Sequence, residues 1–273
     1  MIKPAENNIP ASGIRGVVSV LHLFWWAALA IAVARLFMPQ LQQERGPDAF
    51  LLVSATVAVI GSASIVLPFQ NVLWAALVTG TLAGVLLALV SMLPSGPVNF
   101  KPAAGKFVFG LVPWTTILLW IVTILSSRGT AKAILKPWRQ SSVYGFWVMG
   151  LAASLVLVMN VGLEFYCSRI RSYWTWENWR GLELVGISPS QFATSAVLTL
   201  VVLFVITPML INKKPGPEQT ENGSAGVWIA LNSFLAMAAL KNDAWLPAIA
   251  VGTGIIAVFV ALAIGRFRNS VGL

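Results

Sequence analysis

Apolar runs of about twenty residues, separated by short polar breaks, recur along the whole chain. A run of that length crosses the ~30 Å hydrocarbon core of a bilayer as a helix. Eight such segments are expected, at 14–38, 49–69, 71–93, 106–126, 141–166, 190–211, 226–240 and 244–265. The first stops before Pro39, and the second and third nearly abut, which predicts a tight helical hairpin near Pro68. Pro113 falls inside the fourth, where a missing backbone donor predicts a kink. The seventh is short enough to be tilted or only partly inserted. The stretch KKPGPEQTENGS (213–224) carries Pro, Gly and charge with nothing to bury, and predicts a mobile loop. No internal repeat is evident. The pattern predicts an all-α, polytopic transmembrane helical bundle of about eight helices, forming one membrane domain over residues 1–273.

Composition supports this class. The chain is 58% hydrophobic and 10% charged, with a mean hydropathy of +0.81, whereas a soluble domain carries about 25% charged residues. The net charge of +9 does not point to nucleic acid, because the Lys and Arg residues are placed mainly in short loops between apolar runs. That placement suits topology control and anionic lipid headgroups. With eight spans both termini share a side, and the cluster Arg128, Lys132, Lys136 and Arg139 tips the charge balance toward it. The expectation is a bacterial cytoplasmic membrane with both termini cytoplasmic. The opening MIKPAENNIPASG lacks a cleavable signal pattern, so the first run is expected to be retained as a span. Cys167 is the single cysteine, which excludes an internal disulfide and a thiolate metal cluster.

A few polar or small residues stand out against this background. GTLAG (Gly80 to Gly84) has the spacing that lets helix backbones approach, either inside the bundle or between subunits. His22, the single histidine, is read as an interfacial residue, with a chlorophyll magnesium ligand as the alternative. Asn160 and Glu164 are four residues apart and share a helix face. An intramembrane acid is a functional candidate; the bland alternative places Glu164 at the headgroups, paired with Arg169 or Arg171. In RSYWTWENWRG (Arg171 to Gly181), Tyr173, Trp174, Trp176 and Trp179 read as an aromatic belt lying along the interface without crossing it. Gly181, Gly186 and Pro189 then suggest a structured re-entry into the sixth helix.

The segment from Glu164 through Tyr173, Trp174, Trp176, Gly186, Ile187, Pro189 and Phe192 resembles the signature of the carotenoid-biosynthesis integral membrane family. That family includes the bacterioruberin-type and γ-carotene-type carotenoid 1,2-hydratases, and this chain resembles a divergent member. SGPVNF (Ser95 to Phe100), GLVPWTTILLW (Gly110 to Trp120) and SSRGTAKAIL (Ser126 to Leu135) are similar to further family segments in the same order. The match covers roughly residues 87–211. Gln191 stands where the family has Asn, and LAGVLLALVSMLP lacks the acid that the family places there.

The resemblance implies hydration of the terminal double bond of an acyclic carotenoid end group. That chemistry needs a carboxylic acid as proton donor, a positioned water and aromatic faces for a transient cation. Glu164 is the candidate catalytic acid, with Glu177 and Asp243 behind it. Trp114, Trp120, Asn160, Tyr173, Trp174 and Trp176 are the candidate substrate-binding residues. No metal or catalytic cofactor is called for; a carotenoid or other isoprenoid is the expected ligand and the bilayer the expected surrounding. The competing class is a non-catalytic carotenoid- or lipid-binding subunit of a larger membrane complex, such as a photosynthetic pigment–protein assembly, with other membrane subunits as partners. A transporter is a weaker third reading, because few intramembrane charges are available to couple ions.

Overall fold

The structure is a computed structural model that describes residues 11–38, 46–93, 98–176, 189–210 and 222–271. Its helices are α1 (Ala11–Phe37), α2 (Gly46–Ser64), α3 (Phe69–Ser91), α4 (Trp114–Ile134), α5 (Tyr144–Glu164), α6 (Pro189–Leu210), α7 (Asn222–Lys241) and α8 (Trp245–Val271). Seven contain stretches long and apolar enough to cross a membrane, and α2 adds a shorter apolar stretch, Asp48–Ser64. The chain is an all-α integral membrane bundle. Helices suit this setting because they satisfy every backbone polar group within one segment. Hydroxyls inside the spans are absorbed in the same way: Ser62, Thr79, Thr123 and Thr130 each donate to the carbonyl four residues back.

Successive helices run antiparallel. Arg35 near the end of α1 meets Asp48 near the start of α2, and Gly61 near the end of α2 packs on Val18 and Leu21 of α1. Gly129 late in α4 meets Ser224 at the start of α7, and Gly265 late in α8 returns beside Ile134. The start of α1 and the end of α8 therefore share one end of the bundle. α4 and α7 are the most enclosed helices, while α1 and α8 present Leu23, Phe24, Ile256 and Phe259 outward. The expected hairpin at Pro68 is present, closed by Val66 and Leu67 N–H groups donating to the Ala63 carbonyl. The GTLAG glycines serve internal packing: a methyl group on Gly80 would meet Ile121 at 3.0 Å and Ile117 at 3.1 Å. His22 is spent on the same task, with Nδ1 donating to the Val18 carbonyl and Nε2 3.1 Å from Ser62 on α2.

The end opposite the start of α1 carries a small cap of short strands. Strand β1 (Val98–Phe100) follows α3, and β2 (Phe107–Val108) and β3 (Val112–Pro113) form a hairpin before α4. α5 continues as a π-helical turn, Phe165–Ile170, and then as strand β4 (Trp174–Trp176), which pairs antiparallel with β1.

Three expectations need correction. The fourth helix does not begin at Lys106, and Pro113 does not kink it. Phe109 and Gly110 have positive φ and turn the chain into the β2–β3 hairpin, leaving Pro113 as the residue before the first helical turn, where its missing N–H is harmless. At its other end α4 runs on through Ser126, Ser127 and Arg128, so Arg128 and Lys132 are helix residues, not loop charges. The seventh helix is not short: it starts at Asn222 and has 20 residues, because Gly223 and Ser224 fit against Ser62 and Gly129. Residues 222–224 of the expected loop are thus helical, and 213–221 lie outside the described residues.

Candidate functional site

Glu164 closes α5 at the point where the helix widens into the π-helical turn, a geometry frequent at functional sites. Its side chain is buried, with the residue only 4% exposed. The Trp174 indole donates to Oε2 at 2.8 Å, and the Gln191 amide at the start of α6 donates to the same oxygen. No Lys, Arg or His pairs with the carboxyl among the described residues, so the headgroup-level pairing with Arg169 or Arg171 is overturned. Gln191, at the position where the resemblance expects Asn, acts directly on the acid.

The carboxyl faces a cavity of about 30 Å³, lined among others by Phe100, Thr116, Trp120, Asn160, Trp174 and Trp176. Asn160 Nδ2 donates to Ser195 Oγ at 2.6 Å, which ties α5 to α6 beside it. Phe100 stands edge-on to Trp174, with ring centroids 6.3 Å apart. Thr116 Oγ1 and Trp176 Nε1 are shielded from solvent without hydrogen-bond partners, and both residues line the cavity. Buried polar atoms are normally paired, and this volume suits one or two waters. A wider hollow of about 390 Å³ lies against β1, lined also by Ser91, Leu93, Phe107 and Leu111. It shares Val98 and Phe100 of β1 with the Glu164 cavity, so the two adjoin at that strand.

Of the residues named from the sequence, Glu164, Trp120, Asn160, Trp174 and Trp176 come together around this one cavity. Trp114 does not: its indole nitrogen lies over Gly105, whose φ of 109° and 3.0 Å clearance leave no room for a side chain. Tyr173 also turns away. Together with Trp174 it is buried, so two of the four rings expected as an interfacial belt instead direct their polar tips at buried carboxylates. Glu177 and Trp179 lie outside the described residues. Asp243 is exposed in the turn between α7 and α8.

The carboxylate that Tyr173 reaches is Asp48, which the sequence reading passed over. Asp48 is 5% exposed. Arg35 Nη1 and Tyr166 Oη each donate to Oδ1 at 2.9 Å, and Arg171 Nη2 and Tyr173 Oη each donate to Oδ2 at 2.5 Å. Burial works against the Arg171 charge, but Asp48 and Tyr173 outweigh it and hold the guanidinium protonated beyond its ordinary range. Burial, then the Asp48 charge and hydrogen bond, push the Tyr173 hydroxyl up from its ordinary range. The one available signal was GPDAF, an acid opening an apolar run in a chain with nine Asp and Glu in all.

Among the described residues no group of three His, Cys, Asp or Glu side chains is placed to hold a metal. No protein-family model, curated protein or solved structure matches the chain.

Proposed function

We propose that the chain hydrates the terminal double bond of a long acyclic isoprenoid, a carotene end group being the best fit, with Glu164 as general acid. The observation that supports this most is a buried carboxyl without a cationic partner among the described residues, facing a cavity walled by Trp120, Trp174 and Trp176. The double bond's electron pair takes the proton from the Glu164 carboxyl, forming a C–H bond at the less substituted carbon and a tertiary cation at its neighbour. Indole faces stabilise such a cation. A water oriented by groups such as Thr116 or the Trp176 N–H adds through oxygen, and its surplus proton returns to the Glu164 carboxylate. The Glu164 cavity suits water, not an isoprenyl group, so the hydrocarbon rests in the wider hollow. Its end reaches Glu164 where Val98 and Phe100 give way. By the same reading the protein resides in a bacterial cytoplasmic membrane with its termini cytoplasmic, following the basic residues at that end of the bundle.

The test compares wild type and Glu164→Gln on an acyclic carotene in mild detergent. Wild type is expected to yield a product heavier by one water. The variant should lose activity by at least ~10²-fold, the low end for a general acid, while still binding the pigment. Pigment bound by both with product from neither would replace the hydratase by a non-catalytic carotenoid-binding subunit. Neither pigment nor product from folded protein would remove the carotenoid reading.

A further inference from the structure

At the opposite end of the bundle, where α1 starts and α8 ends, α4 carries a second buried charge that the Glu164 chemistry does not use. Arg128 is 5% exposed, and its Nε is shielded from solvent with no hydrogen-bond partner. No carboxylate pairs with it among the described residues. A buried guanidinium with no carboxylate partner among the described residues is costly inside a membrane bundle. Arg128 borders a cavity of about 50 Å³ that also takes in Lys132, Ser62, Ser224 and Gly129. By the measure that gives a water about 10–15 Å³, this is room for a few oxygen-sized atoms, which is the bulk of one tetrahedral oxyanion.

The surroundings supply what such an anion needs. Arg128 offers a planar fork of donors suited to phosphate oxygens, and Lys132, one turn on, adds a second positive charge. Ser224 lies in the first turn of α7, where backbone N–H groups have no partner within the helix and the helix dipole favours negative charge. Gly129 makes this meeting possible: a methyl group there would sit 2.3 Å from Ser224 Cβ, so only glycine lets α7 start beside Arg128. Apolar Val66, Leu67, Val72 and Leu210 close the remaining sides. Phe69 and Trp74 of α3 are exposed on the outer surface nearby in the chain, as acyl-chain contacts would require.

We propose that the Arg128–Lys132 cavity is a binding site for a phosphate-type oxyanion, distinct from the Glu164 cavity. Two sources present that chemistry: the headgroup of an anionic phospholipid and free phosphate. The site holds its occupant by charge and by donors converging from α4 and the start of α7. It does not depend on the hydratase reading.

The experiment uses the full chain in detergent and has two arms. In the first, native mass spectrometry follows titration with phosphatidylglycerol, with diacylglycerol as the phosphate-free control. In the second, lipid-depleted protein is heated with and without inorganic phosphate. Phosphatidylglycerol binding that exceeds diacylglycerol binding, and that falls at least ~10-fold in Arg128→Gln, identifies a lipid headgroup site. A melting temperature raised by inorganic phosphate in wild type but not in Arg128→Gln identifies free phosphate. Should Arg128→Gln fail to fold, half-buried Lys132→Gln and the charge-conserving Arg128→Lys decide, each expected to weaken the same binding. Absence of any Arg128- or Lys132-dependent effect in both arms overturns the proposal. So does rescue of Arg128→Gln stability by Glu221→Gln or Glu218→Gln, which would make a carboxylate of the 211–221 segment the true counter-ion.

Discussion

Replacing Asp48 by Asn exchanges one carboxylate oxygen for an amide nitrogen, and removes the charge, at the most heavily bonded side chain at the capped end of the bundle, and the structure allows its cost to be worked out. The carboxylate accepts four bonds, two on each oxygen, and neutralises part of the charge of Arg35 and Arg171. An asparagine oxygen can keep only one pair of donors. The amide nitrogen then faces the other pair, either Arg35 and Tyr166 or Arg171 and Tyr173: the tyrosine hydroxyl can turn to accept from it, but the arginine meets it donor against donor. The side chains of Arg35, Asp48 and Arg171 are 6%, 7% and 11% exposed, so solvent does not relieve the mismatch. Breaking one side of a buried ion pair costs about 3–5 kcal/mol, or roughly two to three and a half decades in the folding equilibrium at ~1.4 kcal/mol per decade.

Equilibrium unfolding in mixed micelles, followed by tryptophan fluorescence, measures this directly. The same titration on Arg35→Met and on the Asp48→Asn/Arg35→Met pair separates the ion pair from the rest of the cluster, because the double-mutant coupling isolates it. A loss of less than ~1 kcal/mol for Asp48→Asn would place the cluster among exposed ion pairs of little consequence and refute the buried-clamp argument.

The raised Tyr173 hydroxyl sets a pH dependence. The unfolded value is about 10, and above it the native state keeps a proton that the unfolded state has released, so the contribution is complete below about pH 10 and declines as pH rises further; Tyr173→Phe should make that alkaline decline shallower in the same unfolding assay. Gly129→Ala places a methyl group 2.3 Å from Ser224 Cβ and should destabilise the α4–α7 contact by about 1–3 kcal/mol. Gly84→Ala, whose new methyl meets Ile117 at 3.5 Å, should be neutral or stabilising by up to ~1 kcal/mol. Cysteines introduced at Lys132 and Glu218 should label from one side of the membrane and at Lys101 from the other, with native Cys167 silent because it is buried; labelling of 132 and 218 from opposite sides would break the eight-helix alternation.

The helices were legible because lipid-facing segments are apolar nearly all round, so run length alone marks them. Their ends were less legible where local polarity misled. SSRG at 126–129 looks like a break, yet Thr130 donates to the Ser126 carbonyl and the helix continues. Pro113 looks like a kink until Phe109 and Gly110 take positive φ and place it ahead of the first turn. Glu164 and its tryptophans were legible because an intramembrane acid is rare and the Tyr-Trp-x-Trp stretch follows it closely. Asp48 was not, because its partners come from positions 13, 118, 123 and 125 residues away, counted as 48 − 35, 166 − 48, 171 − 48 and 173 − 48. No periodicity encodes a meeting of that kind. Arg128 counted as a topology signal, and only the packed bundle distinguishes a buried guanidinium from a loop charge.

The two buried carboxylates are linked by the register of one short strand. Consecutive residues in an extended chain face opposite ways and alternate residues face the same way. Tyr173, whose carbonyl accepts from Lys101 N–H at 2.8 Å, points to Asp48. Trp174 and Trp176, on the other face, line the Glu164 cavity. The β1–β4 pair is only three residues long and exerts little hold on its own register. A slip of one residue would send Tyr173 and Thr175 toward Glu164 and carry both indoles away from it. Asp48, itself fixed by Arg35 on α1, resists that slip by holding the Tyr173 hydroxyl on the opposite face. The cluster therefore acts on the acid without touching it: disordering the Asp48 clamp should cost the Glu164 carboxyl its Trp174 donor, even though the two carboxylates share no ligand.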